Sequence, residues 1–255
     1  MTTAAVAGTT QRAPRLPGQT VVIIGGSAGI GLETARQARA EGAEVVLTGR
    51  DPERLRHAGL EVGARSSAAF DAADPAALER FFRALDDPVD HVMVSAGGMY
   101  YEPIASMDFT QARRALDEHL WLTLQVAREA PARVRPGGTL LFMTGTVARH
   151  AGAGLAIASA VAGALPAVTA DLALELAPIR VNLIAAGFVD TPLSAALLGD
   201  QLEARRDELR ATLPIGRVVG PADVAALAIH LMTNTALTGA TYDIDGGQQL
   251  ISAAT

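Results

Sequence analysis

The sequence predicts an α/β protein of one domain, built on a doubly wound, seven-stranded parallel sheet. Short apolar runs rich in branched side chains alternate with longer helical patterns, the signature of repeated strand–helix–strand units covered on both faces. A glycine cluster, "GGSAGIG", stands where the first apolar run gives way to a helical pattern. The 255 residues, 49% of them apolar, can fill one large core, and no composition break, internal repeat or low-complexity tract divides them.

Taken in order, residues 1–19 are polar, proline-containing and aperiodic, without the apolar middle of a secretory signal, and are expected to form a flexible tail before a domain spanning 20–255. The short branched runs predict strands at Val21–Ile24, Val45–Thr48, Ala68–Phe70, His91–Ser95, Thr139–Thr144, Arg180–Ile184 and Thr241–Ile244. Helical periodicity between them predicts helices at Gly29–Glu41, Pro52–Leu60, Pro75–Ala84, Thr110–Ala130, Ala156–Ala177, Leu202–Leu213 and Pro221–Met232.

Composition excludes several functions. A formal charge of −6 with scattered basic residues argues against a nucleic-acid surface. The absence of cysteine excludes a disulfide, a thiolate nucleophile or a zinc-thiolate site; no metal site and a cytoplasmic location are the expectations. No apolar run reaches the ~18 residues of a membrane span, so no membrane partner is expected. All 21 basic residues are arginine. No lysine is therefore available as a base, a Schiff-base former or a tuner of a neighbour's pKa.

In the glycine cluster, Gly25, Gly29 and Gly31 let the backbone approach a pyrophosphate, and the helix that follows directs its first amides at the anion; a purely steric tight turn is the alternative. The second strand ends "VVLTGRD". Gly49 occupies the place of an acidic residue that would accept the 2′-hydroxyl of NAD, and Arg50 follows, a pair suited to a 2′-phosphate. NADP(H) is the expected cofactor, unless Arg50 is an ordinary solvated charge.

From about Gly18 onward the chain resembles the short-chain dehydrogenase/reductase family. The resemblance rests on the glycine turn, "FDAAD" with Asp71, "SAGG" after the fourth strand, "RVNLIAAGFVDTP" after the sixth and "LTGATYDIDGG" at the end, in that order. It implies a Rossmann-type subunit, hydride transfer between nicotinamide and a carbonyl or alcohol carbon, and self-assembly into a homodimer or homotetramer. It also implies cofactor contacts at Gly25, Ser27, Ala28, Gly29, Ile30, Gly31, Arg50, Asp71, Ala72, Ser95, Ala96, Gly97, Gly187, Val189 and Thr191.

The same resemblance locates four catalytic places, and all four are changed. His119 replaces the asparagine that holds a relay water, and Gly145 replaces the serine that binds the substrate oxygen. Ala158 and Ala162, in "GLAIASAVAGALPA", stand at the tyrosine and lysine positions. The lysine's family role is to hold the nicotinamide ribose and lower the tyrosine's pKa from about 10, and neither group is present.

Tyr100 and Tyr101, in "GGMYYEP", are the phenols that could face the nicotinamide, with packing at the cleft rim as the alternative. His119 and His150 are further candidates for proton transfer, although His119 has apolar neighbours befitting a core histidine and His150 lies in a loop. Thr146 is the remaining hydroxyl for a substrate oxygen, with Thr144 expected on the other side of the strand. Residues near 190–213 occupy the family's substrate lid, and Leu193, Leu197 and Leu198 befit an apolar ligand or simply anchor the lid.

Three functions follow: an NADP(H)-dependent oxidoreductase with a non-standard proton donor and a small carbonyl or alcohol substrate; a non-redox isomerase, dehydratase or cyclase that keeps the cofactor; or a non-catalytic subunit. Retention of Gly187 and Thr191, which in the family cradle the nicotinamide end, favours the first two, and the family's chemistry favours the first.

Overall fold

The computed structural model describes residues 13–251. Seven parallel strands, β1 (Thr20–Ile24), β2 (Glu44–Gly49), β3 (Ser66–Ala69), β4 (Val89–Val94), β5 (Val134–Gly145), β6 (Arg180–Ala186) and β7 (Thr241–Ile244), lie in the order β3-β2-β1-β4-β5-β6-β7. The order reverses between β1 and β4, where Ile24 pairs with Val94, and a crevice opens beyond the carboxyl ends of these two strands. The helices are α1 (Gly29–Ala40), α2 (Pro52–Val62), α3 (Pro75–Arg83), α4 (Phe109–Leu116), α5 (Leu122–Glu129), α6 (Ala156–Glu175), α7 (Pro192–Leu198), α8 (Leu202–Thr212) and α9 (Pro221–Thr233).

The inner strands β1, β2, β4 and β6 are buried on both faces and read as near-continuous runs of buried residues, whereas the edge strand β3 is largely exposed. Alternation along β1 sends Val22 and Ile24 into a core with Leu78 and Phe82 of α3, Val126 of α5 and Leu165 of α6. Val21 and Ile23 enter a second core with Ala35 of α1, Leu55 of α2 and Ile229 of α9.

Residues 1–12 of the expected tail lie outside the described residues, but residues 15–19 are not loose. Leu16 is fully buried and its amide donates to the Glu41 carbonyl at 2.8 Å, while Arg15 pairs with the Glu41 carboxylate. A single apolar anchor among prolines has no period to betray it. The helix expected over Thr110–Ala130 is also broken, into α4, a π turn at Asp117–Trp121 and α5. By length and composition α6 is apolar enough to cross a membrane, contrary to the expectation for the sequence. In the fold it is a core helix, burying Ala158, Val161, Ala162, Leu165, Thr169, Leu172 and Ala173.

His91 on β4 is buried beside Arg180, and its Nε2 donates to Gln19 Oε1 at 2.7 Å. Burial lowers its pKa from 6.5 to about 4. The unfolded chain therefore takes up a proton at a pH where the folded chain does not. Stability is expected to be fully present above pH 6.5 and to decline as pH falls toward 4, by on the order of 3 kcal/mol from this group. Denaturant midpoints across that range check it, and His91→Gln should flatten the slope.

Candidate functional site

β1 ends at Ile24 and the chain turns through Gly25–Ala28 into α1. Gly25 has a φ of +95°, and a Cβ there would stand 2.6 Å from the Ala96 nitrogen, so the turn lies directly against the end of β4. Ser95 fixes that contact, its hydroxyl donating to the Gly25 carbonyl at 3.2 Å, and a side chain at Gly31 would collide with both groups. Asp51, Asp74 and Asp108 cap α2, α3 and α4 through their carboxylates, whereas α1 starts at Ala28 with no side-chain acceptor for its first amides. Those amides are the donors an anion would use.

A pocket of about 190 Å³ adjoins this turn, bordered by Gly25, Ser27, Ala28, Arg50, Asp71, Ala72, Ser95, Ala96 and Gly97. Arg54 and Glu118, absent from the sequence-based set, also border it. Two arginines thus flank the end of β2. The Asp51 carboxylate is occupied capping the Glu53 and Arg54 amides. The Glu118 carboxylate accepts from the Gly98 amide at 2.9 Å and from Arg114 at 2.8 Å, with Arg50 at 3.5 Å. It ties the loop after β4 to the rim where Arg50 stands.

Ser95, Ala96 and Gly97 are shared with a second cavity of about 900 Å³, also bordered by Ile30, Gly187, Val189 and Thr191. The expected cofactor residues line these two adjoining cavities, apart from Gly29, which faces Thr191, and the packed Gly31. Gly187 is close-packed, since a Cβ there would meet Asp245 Cβ at 2.6 Å. Thr191 caps α7 in a reciprocal pair with Ser194. This Thr-Pro-x-Ser start is a helix signal that the sequence carries and that the expected helices omit.

The π turn places consecutive residues 118 and 119 toward the loop after β4, a widening often found at functional sites. His119 borders the large cavity, and its Nδ1 donates to the Ala115 carbonyl at 3.0 Å, which leaves Nε2 as the acceptor of the neutral ring. Nε2 packs against Gly97, whose φ is +134° and where a Cβ would stand 2.7 Å away. Burial pushes the imidazole pKa below its ordinary 6.5, so the ring is neutral at pH 7 and offers a base.

Both tyrosines border the cavity. The Tyr100 hydroxyl accepts from the Asp108 amide at 2.8 Å, which ties the ring to the start of α4. Tyr101 is 46% exposed, and the partial burial of its ring pushes the phenol up from 10. His150 is an exposed residue at the cavity edge. Thr144, contrary to expectation, borders the cavity together with Gly145 and Thr146. Thr144 and Thr146 stand two residues apart, the spacing that a strand's period of two puts on one side, and the chain enters a 3₁₀ turn at Thr146–Arg149. Ala158 borders the cavity, whereas Ala162 is buried behind it. Among the described residues no cluster of three His, Cys, Asp or Glu side chains could hold a metal.

A family model described as enoyl-(acyl carrier protein) reductase matches residues 25–249. The short-chain dehydrogenase/reductase malC of Malbranchea aurantiaca is 27% identical, over 92% of this chain and 96% of its own length. Its solved structure, described as MalC reductase/Diels-Alderase, superposes with a TM-score of 0.87 at 26% identity, covering 94% and 99% of the two chains. An NADP-dependent (R)-specific alcohol dehydrogenase of Lentilactobacillus kefiri is 27% identical, over 91% and 97%. A small-chain dehydrogenase solved in complex with NADPH has a TM-score of 0.80 at 28% identity, with 92% and 100% covered.

Proposed function

The chain belongs to the short-chain dehydrogenase/reductase family of oxidoreductases, and from that premise we propose that it is an NADP(H)-dependent enzyme acting on a carbonyl or alcohol substrate, with His119 in place of the missing tyrosine. One observation carries the reading: the cavity at the uncapped α1 and its flanking arginines shares Ser95, Ala96 and Gly97 with the cavity bordered by His119, Thr144 and Thr146. The residues present fit the cofactor. The first amides of α1 would take the pyrophosphate, Arg50 and Arg54 the 2′-phosphate, and Asp71 and Ala72 the adenine side. When bound, NADP(H) supplies or accepts the hydride at its nicotinamide.

The side chains of the protein then have two tasks. The Thr144 and Thr146 hydroxyls, which have no partner among the described residues, hold the substrate oxygen. The bare Nε2 of His119 takes the proton during alcohol oxidation and returns it during carbonyl reduction, directly or through one water. The lid is formed by α7 and α8, which bring Leu193, Leu197 and Leu198 to the cavity. The proposed location is the cytoplasm, for cell fractionation to test.

Cofactor choice is tested by fluorescence titration. NADPH should bind at least about tenfold more tightly than NADH, a difference that Arg50→Ala with Arg54→Ala largely removes. Equal affinities in the unaltered protein would defeat the assignment.

Self-association is also proposed, through the outer face of α6. Trp121 beside α5 and Leu174 on α6 are 52% and 82% exposed, and Gly163 is exposed, with nothing within 4 Å of the place a Cβ would take. Light scattering should report a dimer or tetramer, and Gly163→Arg, harmless within one chain, should dissociate it. A monomer at micromolar concentration counts against this face.

A second reading is non-redox catalysis with the cofactor retained. It draws on the four changed catalytic places and on a relative described as a reductase/Diels-Alderase. NADPH binding with no consumption of reduced nicotinamide by any carbonyl substrate would favour it.

A further inference from the structure

The large cavity is sorted by charge. The chain carries 27 acidic residues and a net charge of −6, yet among the described residues bordering this cavity there is no aspartate or glutamate. Its ionisable neighbours are Tyr100, Tyr101, His119, His150 and Arg205. Arg205 alone among them carries a fixed positive charge.

Arg205 lies on α8, and its guanidinium uses one nitrogen, Nη1, to reach Glu208 at 2.7 Å. Glu208 is 56% exposed and three residues away on the same helix, so this pair steers the arginine from the solvent side without neutralising the cavity. The other guanidinium nitrogens have no partner among the described residues. The adjacent Arg206 points elsewhere and is consumed by Asp190 and Glu203. The cavity that Arg205 borders is lined also by the apolar Leu193, Leu197, Leu198, Phe188, Leu155 and Ile157, and by the neutral Gln248 and Gln249.

We propose that the substrate is an apolar molecule bearing a carboxylate, which pairs with Arg205 while its apolar body lies along the lid leucines. The proposal rests on the reading of this cavity as the substrate site. A buried ammonium would find no counter-charge here. A dianionic phosphate would leave excess negative charge beside one cation, whereas a carboxylate matches the guanidinium fork in charge and shape.

Calorimetry on the NADPH-loaded protein, in which an alcohol meets no oxidised cofactor, tests this with three probes of equal chain length: decanoate, decan-1-ol and decylammonium. Decanoate should bind about tenfold more tightly than decan-1-ol, with decylammonium weakest. Arg205→Gln should lower decanoate affinity by about tenfold, leave decan-1-ol affinity unchanged and leave NADPH affinity unchanged. Arg210→Gln, a change at a solvent-exposed arginine of the same helix, should behave as the unaltered protein. Equal binding of decanoate and decan-1-ol, no measurable decanoate binding, or an Arg205→Gln variant that loses both ligands alike or neither would overturn the proposal. A protein that binds NADPH but shows no preference for decanoate refutes this inference alone; one that does not bind NADPH refutes the reading beneath it.

Discussion

Replacing His119 by glutamine should lower turnover by about 10²–10⁴-fold while leaving NADPH affinity unchanged, because glutamine fills the place and hydrogen-bonds but cannot exchange a proton. Rate loss at constant cofactor affinity separates proton transfer from binding. The pH dependence follows from the environment of the ring. Burial disfavours the imidazolium and lowers the pKa from 6.5, and the Nδ1 proton is committed to the Ala115 carbonyl. At neutral pH the base form dominates. Alcohol oxidation should therefore hold level through neutrality and fall only as pH drops below the lowered pKa, whereas carbonyl reduction, which needs the imidazolium, should rise toward acid. A His119→Gln variant that keeps both profiles would remove His119 from the chemistry.

Restoring the family pair by Ala158→Tyr with Ala162→Lys should give no efficient carbonyl reductase, with turnover staying within about tenfold of the unaltered protein. The missing pair belongs to a unit of four groups, and His119 and Gly145 occupy the other two places. Packing adds a further obstacle. Ala158 is 5% exposed and faces the cavity, so a tyrosine there would fill substrate space. Ala162 is equally buried but does not border the cavity, so a lysine must force its way past Val161 and bury a charge without a carboxylate beside it. Overpacking of this kind costs about 1–3 kcal/mol, and the double variant should unfold at a lower temperature. Vigorous reduction by the double variant would show that the cavity still presents the substrate oxygen to the family's own positions.

The sheet and the nucleotide end were legible because they rest on local necessities. The branched runs of β1, β2, β4 and β6 suit buried strands, and the turn at Gly25 admits no side chain against Ala96. Other features depend on contacts between distant residues. Leu16 is buried by its neighbours and not by any periodicity of residues 15–19. Glu118 reads as a helix surface charge until a π turn, which no local residue pattern announces, aims it at the Gly98 amide. Arg205 and Arg206 are indistinguishable in sequence, and only the position of Asp190 and the cavity separates an arginine held by two carboxylates from one that keeps nitrogens unpaired beside the cavity. The start of α7 at Thr191-Pro192 is different in kind, since its cap was readable.

The central claim is that an oxidoreductase of this family has moved its proton transfer from the absent tyrosine to His119. The most direct measurement follows consumption of NADPH with apolar aldehydes and ketones, with the unaltered protein, His119→Gln and Tyr100→Phe with Tyr101→Phe assayed side by side across pH. The account predicts turnover by the unaltered protein, a rate within about threefold of it for the double phenylalanine variant, and a loss of at least about 100-fold for His119→Gln. Normal turnover by His119→Gln, with the activity lost in the double phenylalanine variant, would contradict it and return the proton to the loop after β4.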